Sequence, residues 1–426
     1  MKRNSLTYQT YVKILERELV CAMGCTEPIA LAYCSAKARS VLGELPERVK
    51  VEASGNIIKN VKSVVVPNTG GRRGIPVATA IGILGGDANA KLQVISRVPA
   101  TAKDRLGFYL DRTPIEVYPL ESDCLLDMIV TVYTDESYAK VRIANEHTNI
   151  VLIEKDGEVL FEKSVHDVEG LEDVPDYELL TVEDIYDFAT TCNLKDVYAV
   201  LDRQIDCNMA ISEEGLHGDY GANIGKLLLM NGDDIRTRAK AAAAAGSDAR
   251  MNGCELPVVI CSGSGNQGMT TSLPVIEYAL SLGVDKDTLY RALLISNLVT
   301  LHCKNGIGRL SAYCGVVSAG AGAGAAIAFL YGGDVKDLSH TIVNALAISS
   351  GIVCDGAKSS CAAKIATAVE AGIFGYEMYK NGQQFFAGDG LVLKGVENSI
   401  DNFARLGRVG MRETDVEIIR MMTEAS

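Results

Sequence analysis

The chain has 426 residues, a formal charge of -13, and 48% hydrophobic against 22% charged residues. That acidity excludes a protein that tracks phosphate backbones, whose basic footprint would have to outweigh it. The apolar content excludes a disordered chain, and the length suits two domains of about 200 residues each better than one core.

In chain order, residues 4–42 read as helix broken near the middle. Glu27 precedes Pro28 and is biased out of the α region, so the second helix is expected to start at Pro28, with Cys25 just ahead of its N-terminus. Charges at Lys13, Glu16, Arg17 and Glu18 interrupt the apolar core a signal peptide would need, and a cytoplasmic location is expected. From Arg48 the pattern turns strand-like: VKVEAS and VKSVVVP, then a turn-rich segment from Pro67 to Gly74 and a helix from Pro76 to Leu84. Further strands are expected at KLQVISRV, PIEVYPLE, DMIVTVYTD, YAKVRIANE, NIVLIEKDG and EVLFEKSV, the last two joined by an Asp156-Gly157 hairpin. Residues 1–180 therefore read as an α+β domain with a mixed or antiparallel sheet.

An acidic connector from Glu169 to Thr181, containing Pro175, marks the expected boundary. Residues 181–426 read as mainly helical, through VEDIYDFATTC, GANIGKLLLM, RTRAKAAAAAGSDARM, LPVIEYALSLG, TLYRALLISNLVTLHC and HTIVNALAISSGIV. The Ala/Gly-rich run from Val316 to Gly332 is marginal for spanning a bilayer and reads as a close-packed core helix, so no membrane partner is expected.

Twelve cysteines without an export signal argue against a disulfide scaffold. Most read as small buried hydrophobes. Cys314, Cys354 and Cys361 are candidate ligands: three thiolates can hold three irons of a [4Fe-4S] cluster and leave the fourth open to a substrate heteroatom. On one continuous helix Cys354 and Cys361 would stand roughly 10 Å apart in rise. The chain is therefore expected to turn at Asp355-Gly356 and to restart as a helix from Lys358 to Glu370. Their spacing alone is no metal signature, and a pair of core cysteines remains the alternative.

Cys25, ahead of a helix N-terminus, would feel the positive end of the macrodipole, which favours the thiolate. A disulfide with Cys21 and plain burial stay open as alternatives. Ser262-Gly263-Ser264-Gly265-Asn266-Gln267-Gly268 follows the strand-like run from Pro257 to Ile260. It fits the letters of a dinucleotide loop but lacks the βαβ unit and the ribose-binding acid. Its amides, with Ser262, Ser264 and Asn266, can instead hold a carboxylate, and Asn68, Thr69 and Gly70 can do the same. Lys304, Arg309 and Lys358 are candidate carboxylate or cluster cations, with solvated surface charge as the alternative. Five histidines in no ligand-spaced pair argue against zinc.

Cys354-Asp355-Gly356-Ala357-Lys358 with Cys361 resembles the L-cysteine desulfidase family, which is related to the iron-sulfur L-serine dehydratase alpha chains. Met23-Gly24-Cys25-Thr26-Glu27-Pro28, Pro67-Asn68-Thr69-Gly70, Ser262 to Gly268, Lys304 with Gly308-Arg309-Leu310-Ser311, and Cys314-Gly315 carry the likeness in chain order over essentially the whole length. The resemblance implies a [4Fe-4S] cluster on Cys314, Cys354 and Cys361, and acid/base work at the substrate α-carbon for Cys25. It also implies a small amino-acid substrate, eliminated without pyridoxal phosphate. Several of the dehydratases cap the open iron with a terminal cysteine, whereas this chain ends Met-Met-Thr-Glu-Ala-Ser, which favours the desulfidase branch. Serine dehydration by the same machinery, a non-catalytic iron-sulfur redox sensor and a pyridoxal-phosphate lyase are the competing readings. No nucleic-acid partner is expected, and assembly into a homo-oligomer is left open.

Overall fold

The computed structural model describes residues 1–165 and 174–424, so the first part of the expected connector lies outside the described residues. The opening helix α1 (Leu6–Glu18) is capped by Ser5, whose hydroxyl accepts from the Tyr8 amide. It is followed not by more helix but by a three-residue strand, β1 (Cys21–Met23). Helix α2 (Thr26–Leu42) then begins with Cys25 as its N-cap. Pro28 lies inside its first turn, where a missing N–H costs nothing, so the expected start is two residues late.

Strand β2 (Arg48–Ala53) leads into α3 (Gly55–Val61), α4 (Ile75–Gly85) and α5 (Ala100–Arg112). The strands β3 (Ile115–Pro119), β4 (Asp127–Tyr133), β5 (Tyr138–Ala144), β6 (Ile150–Lys155) and β7 (Glu158–Glu162) complete a six-stranded sheet of order β3-β2-β4-β5-β6-β7. The sheet is mixed: β2 and β3 are parallel, and every other pairing is antiparallel. Asp156 and Gly157 have φ of 51° and 85°, the positive values a two-residue hairpin turn requires between β6 and β7. Alternating Val49, Val51 and Ala53 of β2 and Ala139, Val141 and Ile143 of β5 are buried, and α2 packs over β4 and β5.

Two expected strands are absent. VKSVVVP divides between the end of α3 and a loop held by an isolated Val65–Arg73 bridge and by the Val65 amide on the Met251 carbonyl at 3.4 Å. KLQVISRV begins in a 3-10 turn over Ala88–Gln93, where Leu92, Val94 and Ile95 are buried without joining a ladder.

The rest is helical: α6 (Val182–Thr191), α7 (Tyr198–His217), α8 (Ile224–Leu229), α9 (Ile235–Met251), α10 (Gly265–Leu282), α11 (Lys286–Asn305), α12 (Gly315–Leu330), α13 (Val335–Ser349), α14 (Cys361–Lys380), α15 (Val396–Arg405) and α16 (Arg412–Glu424). Helix α12 is the expected core helix, packed by α10, α11, α13 and α14. It reaches α14 backbone to backbone: a β-carbon on Gly320 would stand 2.2 Å from the Ala368 carbonyl oxygen, and one on Gly324 2.5 Å from that of Gly372. Among the described residues, no helix is long and apolar enough to cross a membrane.

The halves are joined through their cores. Tyr8 and Tyr11 of α1 pack edge-on against Phe188 of α6, and β1 pairs antiparallel with β8 (Pro257–Val259), Cys21 opposite Val259 and Met23 opposite Pro257. That two-stranded ladder sets the segment carrying Cys25 beside the loop that opens α10.

Candidate functional site

Immediately after β8 the chain makes a tight loop. Ser262 and Gly263 have φ of 50° and 75°, and Cys261 and Ser264 exchange backbone hydrogen bonds of 3.1 Å. Helix α10 starts at once, with Ser264 as N-cap, and packs hard on the strand: a β-carbon on Gly268 would stand 2.0 Å from the Val259 carbonyl oxygen. On the other side Thr26 Oγ1 donates to the Gly263 carbonyl at 2.9 Å. The starts of α2 and α10 thus form two walls of a cleft with about 820 Å³ of empty space.

A third wall carries the cysteines. Tyr313 and Val353 form an antiparallel bridge, with the Cys314 amide on the Ile352 carbonyl at 3.1 Å and the Cys354 amide on the Ala312 carbonyl at 2.6 Å. Cys314 is the N-cap of α12, and Cys361 is the first residue of α14, after a turn at Gly356 with φ of 90°. The expected turn between Cys354 and Cys361 is therefore present, although α14 starts three residues later than expected. All three cysteines line the cleft with Cys25. Cys25 and Cys361 also pack into one small apolar cluster with Val64, Met251 and Ala357.

The Cys314 thiol faces Cys354, which, despite its burial, is drawn below an ordinary thiol with help from Lys59 and Lys304. Burial brings the Lys304 ammonium down to about 8, against the pull of Cys354 and Cys314. The cations ringing these sulfurs are held from behind. Lys59 reaches Asp415 of α16 at 2.6 Å, Lys364 pairs with Asp355, and Lys304 Nζ donates to the Gly308 carbonyl at 2.5 Å. Among the described residues, no three His, Cys, Asp or Glu side chains are arranged to hold a metal ion.

The ionisation expected at Cys25 is reversed. Burial, followed by the adjacent Glu27 carboxylate, pushes the thiol well above its usual value, and the macrodipole does not overcome them. Cys25 Sγ donates to Glu27 Oε2 at 3.0 Å, Thr26 Oγ1 to the same oxygen at 3.2 Å, and Asn60 Nδ2 to Oε1 at 3.2 Å. His147 Nε2 stands 3.8 Å from Oε1. Burial alone would raise Glu27, but His147 and the Cys25 thiol outweigh it and hold the carboxyl at about 2. The resting pair is a protonated thiol on an ionised carboxylate.

Ser262, Ser264, Asn266, Lys304 and Arg309 line the cleft. Arg309 is already engaged there, its Nη2 3.1 Å from Glu18 and 3.4 Å from Glu146. Asn68, Thr69 and Gly70 do not line it. Asn68 Nδ2 donates to the Ile95 carbonyl at 2.8 Å and Thr69 Oγ1 to the Val66 carbonyl at 2.7 Å, so both side chains are spent bracing the turn behind Gly24. Lys358 pairs with Asp355 at 2.6 Å and His302 with Glu397 at 2.5 Å. Cys21 does not meet Cys25. It lies on β1 with its sulfur 3.9 Å from that of Cys207 on α7. All twelve cysteines are free.

Sequence reasoning missed Glu27, Asn60, His147 and Arg250. Glu27 stands inside the Cys25-Thr26-Glu27-Pro28 motif and was legible only as a helix-start residue. The other three carry no local signal.

Relatives cover nearly the whole chain. A UPF0597 protein of Desulfitobacterium hafniense is 58% identical over 99% of this chain and 98% of its own length. A UPF0597 protein of Lachnoclostridium phytofermentans is 50% identical over 97% and 99%, and one of Finegoldia magna 47% over 98% and 100%. The family model for the serine dehydratase alpha chain matches residues 89–420, which include the three cysteines of the third wall and the loop that opens α10. On that match the chain belongs to the serine dehydratase alpha chain family.

Proposed function

We propose that the protein is an iron-sulfur lyase, independent of pyridoxal phosphate, that splits L-cysteine by α,β-elimination into pyruvate, ammonia and sulfide. The observation that carries this reading is a single cleft lined by Cys314, Cys354 and Cys361 together with Cys25. The donors fit a [4Fe-4S] cluster in kind and number: three free thiols from separate backbone stations, with Lys59, Lys304 and Lys364 near them to offset negative charge. Each corner iron takes one thiolate, so these sulfurs need not converge on one point as the ligands of a single ion must. Cys314, Cys354 and Cys361 would hold the cluster, and when bound it would supply a Lewis-acidic iron that polarises the bond to the leaving sulfur.

The chain's own residues do the rest. The ionised Glu27 receives the substrate ammonium. As positive charge arrives there the Cys25 thiol gives up its proton to solvent, and the thiolate then takes the α-proton, which restores the resting thiol while the carbon–sulfur bond breaks and sulfide leaves. Aminoacrylate leaves, tautomerises to the imine and is hydrolysed by water to pyruvate and ammonia.

Serine dehydration in the same cleft, with hydroxide as leaving group, is the second reading, favoured by the family match. Anaerobically reconstituted protein is offered each amino acid in turn, and sulfide and pyruvate from cysteine are expected. Pyruvate from serine with no sulfide from cysteine overturns the substrate choice. Iron and acid-labile sulfide should fall sharply in Cys354→Ala, and unchanged content there overturns the cluster site.

A further inference from the structure

Arg250, in the last turn of α9, is only 2% exposed, and it lines the cleft. Its Nη1 donates to Asn266 Oδ1 at 3.1 Å, while Nε and Nη2 have no hydrogen-bond partner. Among the described residues it forms no ion pair, in contrast to Lys59, Lys364 and Arg309 of the same cleft. A buried guanidinium with two unused donors and no counter-charge is costly to keep unless an anion arrives to meet it.

The fork lies close against the start of α10, an approach that a glycine there permits. A β-carbon on Gly265 would stand 2.4 Å from Arg250 Nε and 2.8 Å from Cζ, so any larger residue there would push the fork aside. Gly265 is also the first residue of α10, an 18-residue helix whose N-terminal amides point donors and the positive end of its dipole the same way. A planar fork and a helix N-terminus together suit a carboxylate, whose two oxygens a guanidinium can take at once.

We infer that Arg250, rather than the engaged Arg309, anchors the α-carboxylate of the amino-acid substrate against the start of α10. The ionised Glu27, tied to the adjacent loop through Thr26 and Gly263, then receives the ammonium end. The cleft so built selects zwitterionic α-amino acids by both charged groups. This inference rests on the amino-acid lyase reading but is tested separately from it.

The test measures binding and turnover on the reconstituted enzyme. L-Alanine carries both charged groups and no leaving group, and ethylamine lacks the carboxylate. Calorimetric titration should show L-alanine binding to the native protein more tightly than ethylamine. In Arg250→Gln, L-alanine binding should weaken about 10- to 100-fold, to the level of ethylamine. KM for the turned-over amino acid should rise by a similar factor, with kcat changed less. Arg250→Lys, which keeps the charge and loses the fork, should fall between. Unchanged L-alanine affinity in either variant overturns the inference. If Arg250→Gln does not fold, Arg250→Lys carries the same comparison alone, with Asn266→Ala expected to weaken L-alanine binding in the same direction. A native protein that holds its cluster and binds L-alanine through Arg250, yet eliminates neither cysteine nor serine, refutes the lyase reading and leaves the anchor standing.

Discussion

Replacing Glu27 with glutamine tests the electrostatic heart of the cleft. The carboxylate is buried and accepts from Cys25, Thr26 and Asn60, with His147 at 3.8 Å. Glutamine keeps one acceptor oxygen and sets an N–H₂ donor against groups that are themselves donors. Lowering a carboxyl from 4.5 to about 2 corresponds to about 3 kcal/mol of native-state stabilisation at neutral pH. Because the folded value lies below the unfolded one, that contribution is present in full above pH 4.5 and is lost as the pH falls toward 2. About 2 kcal/mol of it is gone by pH 3. Urea denaturation of iron-free native and Glu27→Gln protein from pH 7 to pH 3 should show the gap between them narrowing by that amount. Other carboxyls titrate in both proteins and cancel in the difference. Parallel stability curves over the whole range would refute the proposed ionised, buried Glu27.

Two further outcomes follow from the packing around the cleft. Asp415→Ala leaves the Lys59 ammonium, whose side chain is 1% exposed, without its counter-charge and should cost about 3–5 kcal/mol in urea denaturation. Adding Lys59→Met should recover most of that loss, and a double variant no more stable than Asp415→Ala would contradict the buried pair. Cys21, half-buried and hydrogen-bonded by Cys207, should be alkylated by iodoacetamide with a midpoint below the ordinary thiol value of 9.0, while Cys25 resists. Cys207→Ala, which removes the donor, should move that midpoint upward, and a Cys21 midpoint at or above 9.0 in the native protein would rule the contact out.

Elements with a long period were legible in the sequence, and elements decided by tertiary contact were not. The hairpin at Asp156-Gly157 and the core helix α12 follow from local chemistry alone. VKSVVVP has strand-like residues, but its first residue ends α3, which docks beneath α16 so closely that a β-carbon on Gly55 would stand 3.0 Å from Ile419. Strands β1 and β8 have three residues each, too few for any periodicity, and exist because each finds the other. At the site, the place of Cys25 was readable from Pro28, whereas its proton was not. Residues two apart do not normally face each other on a helix, and only the extended backbone of the N-cap, with φ of -75° and ψ of 135°, lets the thiol reach Glu27. Arg250 reads in sequence as an ordinary basic residue closing an alanine-rich helix. The turn at Asn68 and Thr69 looked like an anion nest because nothing local reveals that the Ile95 and Val66 carbonyls already occupy those side chains.

The β1–β8 ladder makes two distant stretches of chain share one ruler. Cys25 lies two residues beyond Met23, and Ser264 five residues beyond Val259, so both reactive walls are measured from the same three rungs. A slip of one rung would slide one wall past the other by about 3.3 Å and turn every side chain of the strand to its opposite face. Insertions or deletions in either segment should therefore be tolerated only in compensating pairs, even though more than 230 residues separate them.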